Sequence, residues 1–134
     1  FSSLDLSSGY RQVPLNESDK AKPAFSTRRG RWEFNRMHFG LCGAPVTFQR
    51  IMNVILRDQV WRKCVIYLDD VLIFGKTIKE HNERLEEVLE PFRKSGMKLS
   101  LHKCSFFKNT DSISWAHHQY ITKESQLIQR KLRV

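Results

Sequence analysis

The chain has 134 residues and a net charge of +9, from 23 basic and 14 acidic side chains, with 40% hydrophobic and 28% charged residues. That length allows one domain with a real core but not two, and the composition is that of a globular chain rather than a disordered one. No apolar run reaches the roughly 20 residues that cross a bilayer, and no basic-then-apolar leader opens the chain.

Cys42, Cys64 and Cys104 lie far apart without CxxC spacing, which argues against zinc and fits an intracellular, reducing setting. Five histidines, His117-His118 among them, have no partner at metal spacing and read as structural or surface residues. The basic excess points first to nucleic acid and second to an acidic membrane surface, with a merely soluble basic protein as the plain alternative. It gathers at Lys20, Lys22, Arg28, Arg29, Arg31 and Arg36, and again at Lys123, Arg130, Lys131 and Arg133. The chain opens on a strand-like run without an initiator Met and reads as a piece of something larger.

Phe1-Ser2-Ser3-Leu4-Asp5-Leu6 alternates as a strand does, and Ser7-Ser8-Gly9 breaks it. Residues 16–22 are polar, a turn or short helix. Residues 23–27 and 31–35 flank Arg28-Arg29-Gly30 as a hairpin, and Gly40 and Gly43 bracket a loop. A helix is expected from Ala44 to about Val60, with Pro45 in its first turn and Phe48, Ile51, Met52, Ile55 and Leu56 as one apolar stripe. Residues 64–68 and 71–74 then form a tight hairpin with Asp69 and Asp70 at its tip. Thr77-Ile78-Lys79-Glu80 is a capping box opening a second helix. Leu85, Val88, Leu89 and Phe92 are its buried stripe, Gly96 ends it, and Pro91 predicts a kink or an early stop. Residues 97–101 read as a further strand, with a hairpin from Phe106 to Trp115 after it.

With residues 7–43 set aside as an insertion, the order is strand, helix, strand, strand, helix, strand. That is an α+β fold in the split βαββαβ arrangement. Its usual sheet order sets the first strand antiparallel beside the third, which puts Asp5 about 5 Å from the start of the third strand at Asp70. An Asp-Asp pair alone is ordinarily a solvated turn. Three carboxylates at one sheet edge cannot all stay ionised without counter-charge, and two Mg²⁺ ions roughly 4 Å apart would supply it. Mg²⁺ takes a few carboxylates together with substrate phosphates, so a basic domain with this site points to phosphoryl transfer on nucleic acid.

Four stretches stand in order along the chain. They are Phe1-Ser2-Ser3-Leu4-Asp5-Leu6-Ser7-Ser8-Gly9-Tyr10-Arg11-Gln12-Val13-Pro14-Leu15, Phe39-Gly40-Leu41-Cys42-Gly43-Ala44-Pro45-Val46-Thr47-Phe48-Gln49, Tyr67-Leu68-Asp69-Asp70, and Gly96-Met97-Lys98-Leu99-Ser100-Leu101-His102-Lys103-Cys104-Ser105-Phe106. Together they resemble the catalytic motifs of a reverse transcriptase from a gypsy-type LTR retrotransposon polyprotein. The resemblance covers nearly the whole chain. It implies a ferredoxin-like polymerase palm at residues 1–6 and 44–122, with a fingers-like insertion carrying the β-hairpin at about 7–43. The implied activity is RNA-directed DNA polymerisation, adding dNTPs to a DNA primer 3′-hydroxyl on an RNA or DNA template.

The resemblance also implies roles. Asp5, Asp69 and Asp70 would be the metal-binding triad for two Mg²⁺ ions, with Mn²⁺ as the other candidate. Leu6, Tyr10, Phe39 and Gly40 would lie at the nucleotide, Tyr10 excluding a 2′-hydroxyl. Gln49, Tyr67 and Trp115 would face template and primer, and Lys103 would protonate the departing pyrophosphate. An ordinary half-buried Tyr10, a solvated Lys103 and plain loop chemistry at residues 40, 43 and 45 are the alternatives. Implied partners are the remaining fingers, thumb and RNase H portions of the parent polyprotein. No membrane is involved, and the implied location is intracellular, in cytoplasm or virus-like particles.

Some positions depart from the pattern. His38 stands where the family usually has Pro, and Ile113-Ser114-Trp115-Ala116-His117 is one residue short with Ala in place of Gly. Together with Pro91, the altered 113–117 stretch keeps open a non-enzymatic or decayed remnant that retains the fold and binds nucleic acid. Retention of Asp5, Asp69 and Asp70 argues against it. A plain RNA-binding module would need exposed aromatics on central strands that here carry acids. Without upstream fingers and thumb, little processive synthesis is expected of the chain alone.

Overall fold

The computed structural model describes residues 1–108. Trp115, the altered 113–117 stretch and the end of the hairpin expected there lie outside them. Along the chain come β1 (Ser2–Asp5), α1 (Gly9–Gln12), a 3₁₀ turn at Glu17–Asp19, β2 (Phe25–Thr27), β3 (Gly30–Trp32), α2 (Ala44–Ile55), β4 (Cys64–Tyr67), β5 (Asp70–Ile73) and α3 (Ile78–Ser95). The content is mixed α and β, with two small sheets.

Alternation in β1 sends Ser2 and Leu4 inward, while β4 and β5 are apolar runs buried over most of their length. They form one antiparallel sheet in the order β1-β5-β4. β2 and β3 make a separate two-stranded ribbon whose residues are all exposed. Ala44, Phe48 and Met52 turn the apolar face of α2 into the core, and Leu56 continues that face past the helix end. Val88 and Phe92 do the same for α3, with Leu85 and Leu89 packed at the margin. Phe48, Met52, Leu56, Val88 and Phe92, fully buried, each contribute about 1.5–3 kcal/mol. One glycine makes the centre possible: a Cβ on Gly9 would meet Phe48 Cζ at 2.7 Å. The Phe48 ring therefore lies directly on the α1 backbone, edge-on to Tyr10 at 5.1 Å.

Three expectations change. α2 ends at Ile55 rather than near Val60, because residues 56–59 close into turns through Leu56. Pro91 does not stop α3, which runs on to Ser95. Proline costs that helix one hydrogen bond, but both ends are well held. Thr77 Oγ1 accepts from the Glu80 N–H, and the Glu80 carboxylate reaches back to the Lys76 N–H at 2.7 Å. At the other end Gly96, in left-handed conformation, and Met97 donate to the Arg93 and Phe92 carbonyls.

The third change is residues 97–101, which form no strand. Asp5 and Ser3 turn their backbone N–H and C=O groups away from β5. Ser3 exchanges both bonds with Ser105 at 2.7 and 2.9 Å, and Leu6 bridges Leu99. A regular partner meeting Ser3 with Ser105 would meet Leu6 with His102, so the segment at 100–104 carries three residues more than a regular strand and loops out. The loop closes on itself, with the Lys103 and Cys104 N–H groups donating to the Ser100 carbonyl. It lies directly opposite Asp5, whose carbonyl accepts from Ser100 N–H at 2.9 Å.

His81 at the start of α3 is buried, and its Nε2 lies 2.8 Å from Ser2 Oγ on β1. Burial holds its imidazole below the ordinary range. The unfolded chain takes up that proton near pH 6.5, so below this pH the unfolded state binds more protons than the folded one. The stability is complete above about pH 6.5 and is lost as pH falls toward the folded-state value. Thermal unfolding should show the Tm dropping by about 2–5 °C between pH 7.5 and 5.5. His81→Gln should flatten that slope; an unchanged slope would assign the proton elsewhere.

Candidate active site

Tyr67 pairs with Asp70, which leaves Leu68 and Asp69 as the whole of the β4–β5 loop. Two-residue hairpin loops need a positive φ at their first position, usually supplied by Gly, Asn or Asp. Here Leu68 takes φ +53°. An L side chain in that region costs about 1–2 kcal/mol. A hydrogen bond from α2 offsets part of it: the Leu68 N–H donates to Gln49 Oε1 at 2.9 Å.

The register of the sheet then sets Asp5 directly across from Asp70. Because the Asp5 backbone bonds point outward, this is a non-hydrogen-bonded pair, in which Cα atoms approach to about 4.5 Å and side chains stand close. Asp69 follows on the loop. Its carboxyl is pushed up by burial first, then by Asp70 and Asp5, with Lys103 acting in the opposite sense. Lys103 Nζ lies 3.8 Å from Asp5 Oδ1 while keeping most of its side chain in solvent.

Among the described residues, no group of three or more His, Cys, Asp or Glu side chains is gathered to hold a metal ion as the side chains stand. The donor set still fits one. Asp5 Oδ1 and Asp69 Oδ1 are buried and accept no hydrogen bond. Carboxylate oxygens are the ligands hard divalent cations take. The backbone places Asp5 against Asp70, with Asp69 next to it on the loop.

Beside these acids, Tyr10 is buried between Phe39 at 4.9 Å and Phe48. Burial, then the charge of Asp69, pushes its phenol up, so it stays neutral and faces the acids. Phe39 is exposed above it, and Gly40 takes φ +95°, which L residues avoid. Leu6 is buried in the core. Tyr67 is exposed on the hairpin. Gln49 Oε1 is engaged by the hairpin loop, and its Nε2 donates to Asn53 at 3.4 Å. A groove of about 600 Å³ runs from Leu68 along the outer face of α2 past Val46, Arg50, Val54 and Arg57.

Two residues of this region carry little sequence signal. Gln12 Oε1 accepts from the Lys98 N–H at 2.7 Å, and its Nε2 donates to the Lys98 and Ser7 carbonyls at 2.9 and 2.8 Å. It fastens the start of the 98–105 segment to the end of β1. Cys104 touches the Asp5 backbone through its thiol. Both fall within the motif stretches, but nothing in their residue type points to these contacts.

A family model described as reverse transcriptase (RNA-dependent DNA polymerase) matches residues 1–120. The Pol polyprotein from transposon 297 of Drosophila melanogaster is 43% identical over 108 residues, which cover 81% of this chain and 10% of the polyprotein. That from transposon gypsy of the same organism is 40% identical over 110 residues, covering 82% and 11%. The chain thus spans about a tenth of the length of the curated relatives it matches. Among solved structures, the foamy viral protease-reverse transcriptase dRH in complex with double-stranded DNA is similar, with a TM-score of 0.71 and 25% identity. The similarity covers 78% of this chain and 20% of that one.

Two outcomes follow from the site geometry. Gln49→Ala removes the acceptor of the Leu68 N–H and should cost about 1 kcal/mol in urea unfolding, with faster amide exchange at Leu68. Unchanged exchange there would mean the bond does not hold the loop. Asp69 is an acid with a raised folded-state value, so its stability contribution is present at low pH and lost as pH rises through that value. Asp69→Asn should therefore raise the Tm at pH 7 without divalent ions, by about 1–3 °C after allowing for solvent screening. A lower Tm would contradict the repulsion.

Proposed function

The chain belongs to the reverse transcriptase family, and from that premise we propose that it is the catalytic palm, with part of the fingers, of an RNA-directed DNA polymerase carried by a longer Pol polyprotein. The observation that carries the reading is the pairing of Asp5 with Asp70, with Asp69 beside them and orphaned carboxylate oxygens on Asp5 and Asp69. Residues 1–6 and 44–122 are the palm in this reading, and about 7–43 the fingers-like insertion. The split βαββαβ order is supported by β1-β5-β4, with the Leu6–Leu99 bridge standing where the last strand pairs.

In this reading Asp5, Asp69 and Asp70 hold two divalent ions, Mg²⁺ or Mn²⁺. Ions bound there supply activation of the primer 3′-hydroxyl and neutralisation of the triphosphate charge. The chain's own groups do the rest. Tyr10, neutral and wedged between two rings, floors the nucleotide pocket and leaves no room for a 2′-hydroxyl. Phe39 and Gly40 border that pocket, Gly40 letting the backbone approach the nucleotide without a side chain in the way. Leu6 anchors the strand end in the core while its backbone stays beside the acids.

Lys103 rests near Asp5 and is within reach of a departing pyrophosphate, to which it gives a proton. Gln49 shapes the loop that Tyr67 and Leu68 present to primer and template, and Trp115 serves the primer further on. Arg50 and Arg57, lining the groove along α2, supply cations for a phosphate backbone. The partners are a DNA primer on an RNA or DNA template, dNTPs, and the thumb, RNase H and remaining fingers of the polyprotein. No helix of the described residues is long and apolar enough to cross a membrane, and we place the work inside the cell. A decayed-remnant reading loses one of its supports, because α3 runs through Pro91 undivided.

Paramagnetic broadening of amide NMR signals by Mn²⁺ tests the reading on the chain itself. Broadening should centre on Asp5 and residues 69–70 and should weaken in Asp69→Asn. A well-dispersed spectrum without local broadening would falsify the metal site.

A further inference from the structure

The outward edge of β1 leaves the Asp5 N–H facing the looped-out residues rather than a strand. Its hydrogen-bond partner is the Cys104 thiol: the Asp5 N–H donates to Sγ at 3.4 Å, and the S–H points back to the Asp5 carbonyl at 3.9 Å. On either side the edge is closed by backbone, through Ser105 at Ser3 and Leu99 at Leu6. At the residue that carries the first carboxylate the carbonyl accepts from the Ser100 N–H at 2.9 Å, and the N–H alone is left to a side chain. A thiol sulfur is a weak acceptor, so it can take the Asp5 N–H, while its S–H lies at the longer 3.9 Å from a carbonyl that Ser100 already serves. Its size also fills the half-buried gap left by the loop.

We propose that Cys104 is a positioning residue for Asp5, its thiol accepting the Asp5 N–H, for which the looped-out segment supplies no backbone acceptor. It touches neither metal nor substrate. Its effect passes through the Asp5 peptide, which fixes where the carboxylate stands against Asp70, and through Lys103, the neighbouring residue whose ammonium approaches the same carboxylate. The inference rests on the metal reading above only for its consequence, not for the contact itself.

Two readouts separate those claims. Amide exchange at Asp5 reports the contact without metal. It should be slow in the wild type, faster by about tenfold or more in Cys104→Ala and Cys104→Val, and slow again in Cys104→Ser, with Leu4 unchanged throughout. The Mn²⁺ titration midpoint at Asp5 and residues 69–70 should rise about tenfold in the Ala and Val variants, as when outer-shell partners of metal ligands are removed. Cys104→Ser, which keeps a donor and acceptor, should recover most of it. Valine fills the volume without the bonds, so a valine variant matching the wild type in both readouts overturns the proposal, as does a serine variant as impaired as alanine. A wild type that gathers no Mn²⁺ overturns the metal site, and the Asp5 exchange rate then still decides the thiol's role.

Discussion

Everything at this site depends on two like charges being pinned across one antiparallel pair. Asp5 opposes Asp70 because β1 and β5 share a register in which Leu4 meets Val71 and Ser2 meets Ile73. The apolar residues set that register. A slip of one residue would turn Leu4 outward and Ser3 inward, at the cost of the buried face of the strand. The carboxylates are therefore carried into mutual repulsion by side chains that never touch them. The fold stores this as a raised Asp69 carboxyl and two acceptor oxygens without donors. Such strain fits a site built for a ligand, since active sites commonly trade stability for a poised charge arrangement.

The acids are steadied from three directions. α2 reaches the loop through Gln49, and α1 reaches the 98 region through Gln12. The segment after α3 returns to the outer edge of β1 through Ser100 and Ser105. None of these contacts lies in the sheet itself. Gln49 and Ser100 bind backbone groups at or beside a carboxylate, and Gln12 and Ser105 hold the segments that flank them, so the placement of the acids is over-determined. The strained φ of Leu68 persists for the same reason: several neighbours fix the loop at once.

Much of this was legible in the sequence, and the part that was not has a physical cause. Period-2 alternation marked β1, the apolar runs marked the β4–β5 hairpin, and the spacing of Phe48, Met52 and Leu56 marked the face of α2. Those patterns report burial, which is why they read correctly. Asp5 could be placed beside Asp70 from element order alone. Residues 97–101 misled because Met97, Leu99 and Leu101 alternate like a strand. Only the tertiary edge of β1 shows that Ser100 to Cys104 must loop out to meet both Ser3 and Leu6. Of the kink or early stop that Pro91 suggested, the early stop does not occur, since helix propensity is local and the caps that hold α3 are several residues away. Gln12 and Cys104 act through side-chain bonds to backbone, a use that leaves no periodic trace.

The two edges of β1 also set an order of events during synthesis. Its inner partner lies in β5, and its outer partner in the looped segment, where Cys104 stands 99 positions after Asp5. A ribosome adding about 5–20 residues per second needs roughly 5–20 s to cover that distance. Until then the strand has at least one unpaired edge, the condition under which chains pair with the wrong neighbour. The second edge of the strand that bears the first carboxylate thus waits on a segment made 99 positions later.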